Sequence, residues 1–275
     1  MPSTPEDNII DLGRHRVKRA QRGPGRAELE ALTRAQELIY DAWDINDPIQ
    51  RVEIAEEALD ISSLCADAWV LLAEDAAETL EQEVEFFRKG VEAGEQALGE
   101  EFFAREAGMF WGLPETRPYM RAVAGLAHCL WDTGEVDDAI RLYQKMLELN
   151  PADNQGIRFL LLTSLLVLNR HKEAYHLMDS NPEDEYSAVW AYTRALIGYR
   201  EHGDVRTSRE ARRFAIKVNK YVPTYLAGIR KMPKFPPEYV TPGDKTEAVS
   251  YVYDNRQAWA ETSGAVDWLL MEHSG

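Results

Sequence analysis

Cysteine is scarce in this chain, with two residues, Cys65 and Cys129, in 275. They lie far apart and each falls within an apolar helical pattern, so both read as small core residues rather than a disulfide or a redox pair. No CxxC pair occurs. His171 and His176 are five positions apart, about 140° around a helix, which is not the same-face pair of a zinc-binding helix. The glycine patterns that cradle phosphates, GxxxxGKS and GxGxxG, are missing, and so is the GxSxG elbow of a serine hydrolase. His128 and Cys129 are adjacent and project in different directions, so they form no nucleophile and base. The Asp137-Asp138 pair reads as charge complementing the start of a helix. These absences lead to the expectation of a non-enzymatic chain with no metal and no cofactor.

Long apolar runs are missing too. The longest, FLLLTSLLVL from Phe159 to Leu168, is about half of what a membrane-spanning helix needs. The N-terminus has no apolar centre of a secretory signal, and a cytoplasmic protein is expected. Positive charge is in deficit, 31 basic against 47 acidic residues, for a net charge of −16. From Met1 to Arg26 the sign reverses, with six basic residues against three acidic ones. Pro2, Pro5, Gly13, Gly23, Pro24 and Gly25 break up this stretch, which reads as a flexible basic tail over residues 1–26. An acidic body repels phosphate backbones, so nucleic acid is excluded as a partner and a basic or apolar protein or peptide is expected.

What the sequence has is helical periodicity. In YMRAVAGLAHCLWDTGEVDDAIRLYQKMLELNP, Tyr119 to Pro151, apolar residues fall at Val123, Leu126, Ala127 and Leu130, and again at Ala139, Tyr143, Met146 and Leu147. That spacing predicts two amphipathic helices, joined at Thr133-Gly134 and closed at Asn150-Pro151. It is the pattern of a tetratricopeptide repeat, with a period of roughly 34 residues. A second such hairpin is predicted from Asn154 to Asp179, its Ala174 equivalent to Ala139. Upstream, helices are expected at Arg26 to Trp43, after Asp47-Pro48, and from Ala66 to about Thr79, followed by one carrying Val84, Phe87, Gly90 and Val91. Downstream they are expected from Tyr186 to Tyr199, after Gly203-Asp204, and as a last pair, Thr246 to Ala260 and Gly264 to Glu272. The predicted fold is therefore all-α, a tetratricopeptide-like right-handed α-solenoid over residues 27–275, with a C-terminal cap at about 232–275. Between about 95 and 118 the repeat is interrupted by an aromatic insert, FFAREAGMFWGLPETRP, expected to fold back onto a core end because free solvation would expose a large apolar patch.

Two stretches carry a resemblance. One is Cys65-Ala66, Ala68 and Leu71 to Asp75, closing at Ala93-Gly94-Glu95. The other runs from Val222-Pro223 and Tyr225-Leu226 through Pro236-Pro237-Glu238 and Gly243-Asp244 to Glu247-Ala248, Tyr251, Trp259, Gly264-Ala265 and Leu269-Leu270. With the repeats between them, the chain resembles the suppression-of-tumorigenicity-seven family over roughly residues 50 to 270, as a bacterial-type, tetratricopeptide-like member. The resemblance implies a helical repeat fold and carries over no catalytic residues.

In stacked hairpins the first helix of each unit lines the concave face. Arg121, Ala124, His128 and Trp131 are expected there from the central hairpin, and Asp67, Val70, Glu74 and Glu78 from the unit before. The expected partner-binding set is thus Asp67, Glu74, Glu78, Arg121, His128 and Trp131. The function read from the sequence is an adaptor or scaffold that binds another protein. Its alternative is a regulatory accessory subunit of an enzyme complex, with the groove autoinhibited by the chain's own basic tail.

Overall fold

A computed structural model describes residues 23–271; most of the basic tail, residues 1–22, lies outside them. Among the described residues all regular structure is helical, with no strand. They fall into two compact units, the first ending at Asn154 and the second beginning at Gln155, where the sequence reading draws one continuous repeat domain.

The first unit holds α1 (Arg26–Trp43), α2 (Pro48–Ile61), α3 (Ala66–Asp75), α4 (Leu80–Leu98), α5 (Glu100–Glu106), α6 (Arg117–Asp132) and α7 (Val136–Leu149). Asp47 starts α2 as its sequence predicts, its carboxylate accepting the Ile49 N–H ahead of the pre-set Pro48 backbone. Gly134, at φ +86°, turns the chain between α6 and α7. One boundary differs from expectation. α3 stops at Asp75, and Thr79 caps the next helix by accepting the Gln82 N–H. Glu78 consequently sits in the turn, its own N–H donated to the Gln82 side chain at 2.9 Å.

α1 packs on α2, α3 on α4 and α6 on α7, while α3 and α4 both pack on α6. The α4–α6 approach is close because a glycine on each helix receives an aromatic side chain of the other. A Cβ placed on Gly125 would lie 2.1 Å from the Phe87 ring, and one on Gly94 would lie 2.9 Å from the Tyr119 Cβ. Between α6 and α7 the small residues are Ala127 and Ala139, both fully buried.

The aromatic insert is more regular than its glycines and prolines suggest. α4 continues to Leu98, Gly99 (φ +76°) breaks the helix, and α5 follows at once. Two 3-10 turns, Phe110–Gly112 and Pro114–Thr116, then lead into α6. Phe110 is fully buried, with Phe103 at 5.0 Å and Tyr119 at 6.1 Å between ring centres. Thr116, also fully buried, donates its hydroxyl to the carbonyls of Phe110 and Leu113. The stretch thus closes over the Tyr119 end of α6.

The second unit holds α8 (Ile157–Val167), α9 (His171–Ser180), α10 (Ala188–His202), α11 (Arg206–Val218), α12 (Val222–Leu226), α13 (Lys245–Ala260) and α14 (Ala265–Leu270). α10 packs on α8, α11 and α13, and the largest buried side chains, among them Trp190, Tyr192, Tyr251, Trp259 and Trp268, gather around it. After Tyr221 the short α12 begins, since a proline in the first helical turn loses no hydrogen bond.

Two charged side chains tie the helices of this unit together. Glu247, only 6% exposed, accepts N–H donors from Ala188, Asn219 and Gly243, each at 2.8 Å. It thereby places a carboxylate at the N-terminal end of α10, where the helix dipole favours it. Arg200 donates to the Leu166 and Ala258 carbonyls, at the ends of α8 and α13, and to Thr262 Oγ1.

Candidate functional site

The residues expected to line a binding face all lie in the first unit, and the structure sorts them into a buried clamp and an exposed rim. The clamp is built on Asp67, in the first turn of α3. Its side chain is fully buried. Arg121 of α6 grips it with two bonds, Nε to Oδ1 at 2.8 Å and an Nη to Oδ2 at 2.5 Å. Gln36 of α1 donates to the same Oδ2 at 2.7 Å. The Arg121 guanidinium in turn lies 4.8 Å from the ring centre of Trp43, at the end of α1. Three helices therefore meet at one carboxylate. A planar guanidinium suits this role, because its donor fork matches the two carboxylate oxygens while its face stacks on the indole.

This corrects the sequence reading in two places. Asp67 was expected on the exposed face and is inside, as is Val70, 3% exposed. The reason is distance along the chain: Arg121 is 54 residues away and Gln36 is 31 away, so nothing near Asp67 signals that its charge is matched. Gln36 and Trp43, which complete the clamp, carry no motif and were missed for the same reason.

The rim lies further along α3. Glu74 is exposed, and Asp75 beside it pairs with Arg51 of α2. Partial desolvation, with the negative charge of Asp75, holds the Glu74 carboxyl above the usual carboxylate range. Glu78 is exposed in the turn after α3. On α6, His128 is exposed, with Asp132 one helical turn on at 3.7 Å, and Trp131 is half-buried. Outside the insert itself, its aromatic rings meet Tyr119. Trp69 of α3 stacks on Phe86 of α4 at 6.1 Å, with the Lys89 ammonium 5.1 Å from the Trp69 ring centre.

Cys65 and Cys129 are buried and form no disulfide, and burial pushes both thiols up to about 12, which keeps them protonated and unreactive. Among the described residues no cluster of three His, Cys, Asp or Glu side chains is placed to hold a metal, and no helix is long and apolar enough to cross a membrane.

Comparison with known proteins sets this geometry in a family. The family model described as ST7 protein matches residues 27–275. The chain is 26% identical over 272 residues to the suppressor of tumorigenicity 7 protein-like of Rattus norvegicus, covering 90% of this chain and 48% of the rat protein. The human protein of the same name is 25% identical over 262 residues, covering 86% of this chain and 45% of its own length. The ST7 homolog of Drosophila melanogaster is 23% identical over 264 residues, 88% of this chain and 49% of the fly protein. The chain spans about half the length of the curated relatives it matches. With the match running through both units, the chain belongs to the ST7 family.

Proposed function

We propose that the chain is a non-enzymatic adaptor that binds a basic protein or peptide through the first unit, on tetratricopeptide-like hairpins stacked in the manner of a right-handed solenoid. The stacking of α3 on α6 in the first unit, and of α8 on α10 in the second, supports the repeat reading. Charge carries the functional one. Residues 23–154 hold 29 acidic residues against 10 basic ones, a net −19. Within that field the Asp67–Arg121 clamp fixes α3 against α6, so the exposed Glu74 stands on a rigid support. A carboxylate whose neighbours disfavour its charge gains most when a cation arrives, and Glu74 is in that position. Half-buried Trp131 supplies an aromatic anchor of the kind that dominates interface energies.

The test is affinity capture of the tagged chain from its native cell with mass spectrometry of what accompanies it. A partner retained by the wild type and lost from both Glu74→Lys and Trp131→Ala supports this reading. A partner retained by both variants places the interface elsewhere.

The regulatory alternative has one observation in its favour. Gly23, where the described chain begins, lies against Gly99 at the α4–α5 junction, so the basic tail leaves from the acidic unit. On that reading, deleting residues 1–22 increases partner capture without changing the thermal stability of the rest.

A further inference from the structure

The net charge of −16 conceals a reversal in the second unit. Residues 205–245 carry ten basic residues against three acidic ones. Part of this charge is already matched: Arg206 pairs with Glu210, Arg209 with Asp204, and buried Arg212 donates to the Trp268 carbonyl. Three of the remaining seven converge on one place. Lys220, Arg230 and Lys245 surround the Tyr221 ring at 5.4, 5.7 and 5.8 Å from its centre. All three are exposed, and none forms an ion pair among the described residues. Like charges held this close raise the local positive potential and call for an anion.

The connection leaving this cluster, from Gly228 to α13, adds a second feature. It carries two more cations, Lys231 and Lys234, and its large apolar side chains face solvent. Ile229 is 69% exposed, Phe235 67%, Tyr239 82% and Val240 51%. Pro233, Pro236 and Pro237 stiffen the segment and keep it from regular structure. At these exposures the side chains stand out from the surface rather than line a cleft. A peptide ligand needs a groove, whereas a lipid surface is met by protruding aromatic and aliphatic side chains ringed by cations. The chain's own segment 1–22, with five basic residues against three acidic ones, is no counter-charge for it.

We infer that this face of the second unit, the Tyr221 cation cluster with the apolar side chains of the 228–243 connection, docks on an anionic lipid bilayer. Lys220, Arg230 and Lys245 meet the headgroups, and Phe235 and Tyr239 enter the interfacial layer. The attachment is peripheral.

The experiment is co-sedimentation of the full chain with vesicles of phosphatidylcholine alone and of phosphatidylcholine mixed with phosphatidylserine. The chain is expected to bind the mixed vesicles, to bind phosphatidylcholine far less, and to be released by salt. Each cation contributes about fivefold, so Arg230→Glu with Lys245→Glu lowers partitioning at least about 25-fold. Phe235→Ser with Tyr239→Ser weakens binding while leaving its salt dependence intact, and both positions are too exposed for folding to suffer. Lys145→Glu, a single charge reversal at an exposed position of α7, leaves binding unchanged. Equal binding to both vesicles, no binding to either, or loss of binding with Lys145→Glu alone would overturn the inference. So would a chain that associates with soluble poly-glutamate as well as with the mixed vesicles. None of these outcomes bears on the protein-binding reading, which is tested on Glu74 and Trp131 without lipid.

Discussion

Removing Arg121 is the sharpest physical test of the clamp on which the candidate face rests. In Arg121→Ala, Asp67 remains fully buried and keeps only the Gln36 donor of the three bonds it accepts. Breaking a buried pair from one side costs about 3–5 kcal/mol, because the remaining charge is stranded. Arg121 is itself 29% exposed, so water can reach the vacated site, and the low end, about 3 kcal/mol, is expected. For a chain of this size that corresponds to a fall in Tm of about 6–12 °C by circular dichroism. The double variant Asp67→Leu with Arg121→Met removes both charges and fills the space. It should recover most of the loss, since well-packed apolar replacements of buried ion pairs are close to neutral. A fall of under about 1 kcal/mol in Arg121→Ala, or a double variant worse than the single one, would refute the clamp as the joint between α1, α3 and α6.

Three further outcomes follow from the same geometry. Gly125→Ala forces the Phe87 ring away from α6 and should cost about 1–3 kcal/mol by overpacking, read as a lower denaturant midpoint with an unchanged slope. Cys65 and Cys129, with thiols pushed up to about 12 by burial, should resist a thiol reagent at pH 8 in the native chain and both react once it is unfolded. Glu74 holds its proton more readily folded than unfolded, so its charge opposes folding as pH rises above its ordinary carboxylate value. Glu74→Gln should therefore raise Tm at neutral pH, with the gain disappearing as pH falls below about 4.

Much of the helix pattern was legible locally. Arg26 to Trp43 is a helix from end to end, and Asp47-Pro48 starts another, because caps, glycines and three-to-four spacing act over a few residues. Thr79 misled the reading only because a cap residue was taken as part of the preceding helix. The clamp was not legible, since Asp67 and Arg121 meet across 54 residues and an acidic residue in the first turn of a helix is ordinarily solvated. Phe110 shows the intermediate case. Its burial was expected from the aromatic density of the insert, but the 3-10 turn that carries it was hidden among glycines and prolines. The basic concentration in residues 205–245 was present in the sequence throughout, submerged in an average that the first unit dominates.

The central claim, that the acidic rim of the first unit binds a basic polypeptide, is tested most directly by equilibrium titration of the purified captured partner against the chain. The account predicts that Glu74→Lys and Trp131→Ala each raise Kd about tenfold or more, a loss of at least about 1.4 kcal/mol, while Tm stays within a few degrees of wild type. Unchanged Kd values in both variants, with the partner still bound, would contradict it.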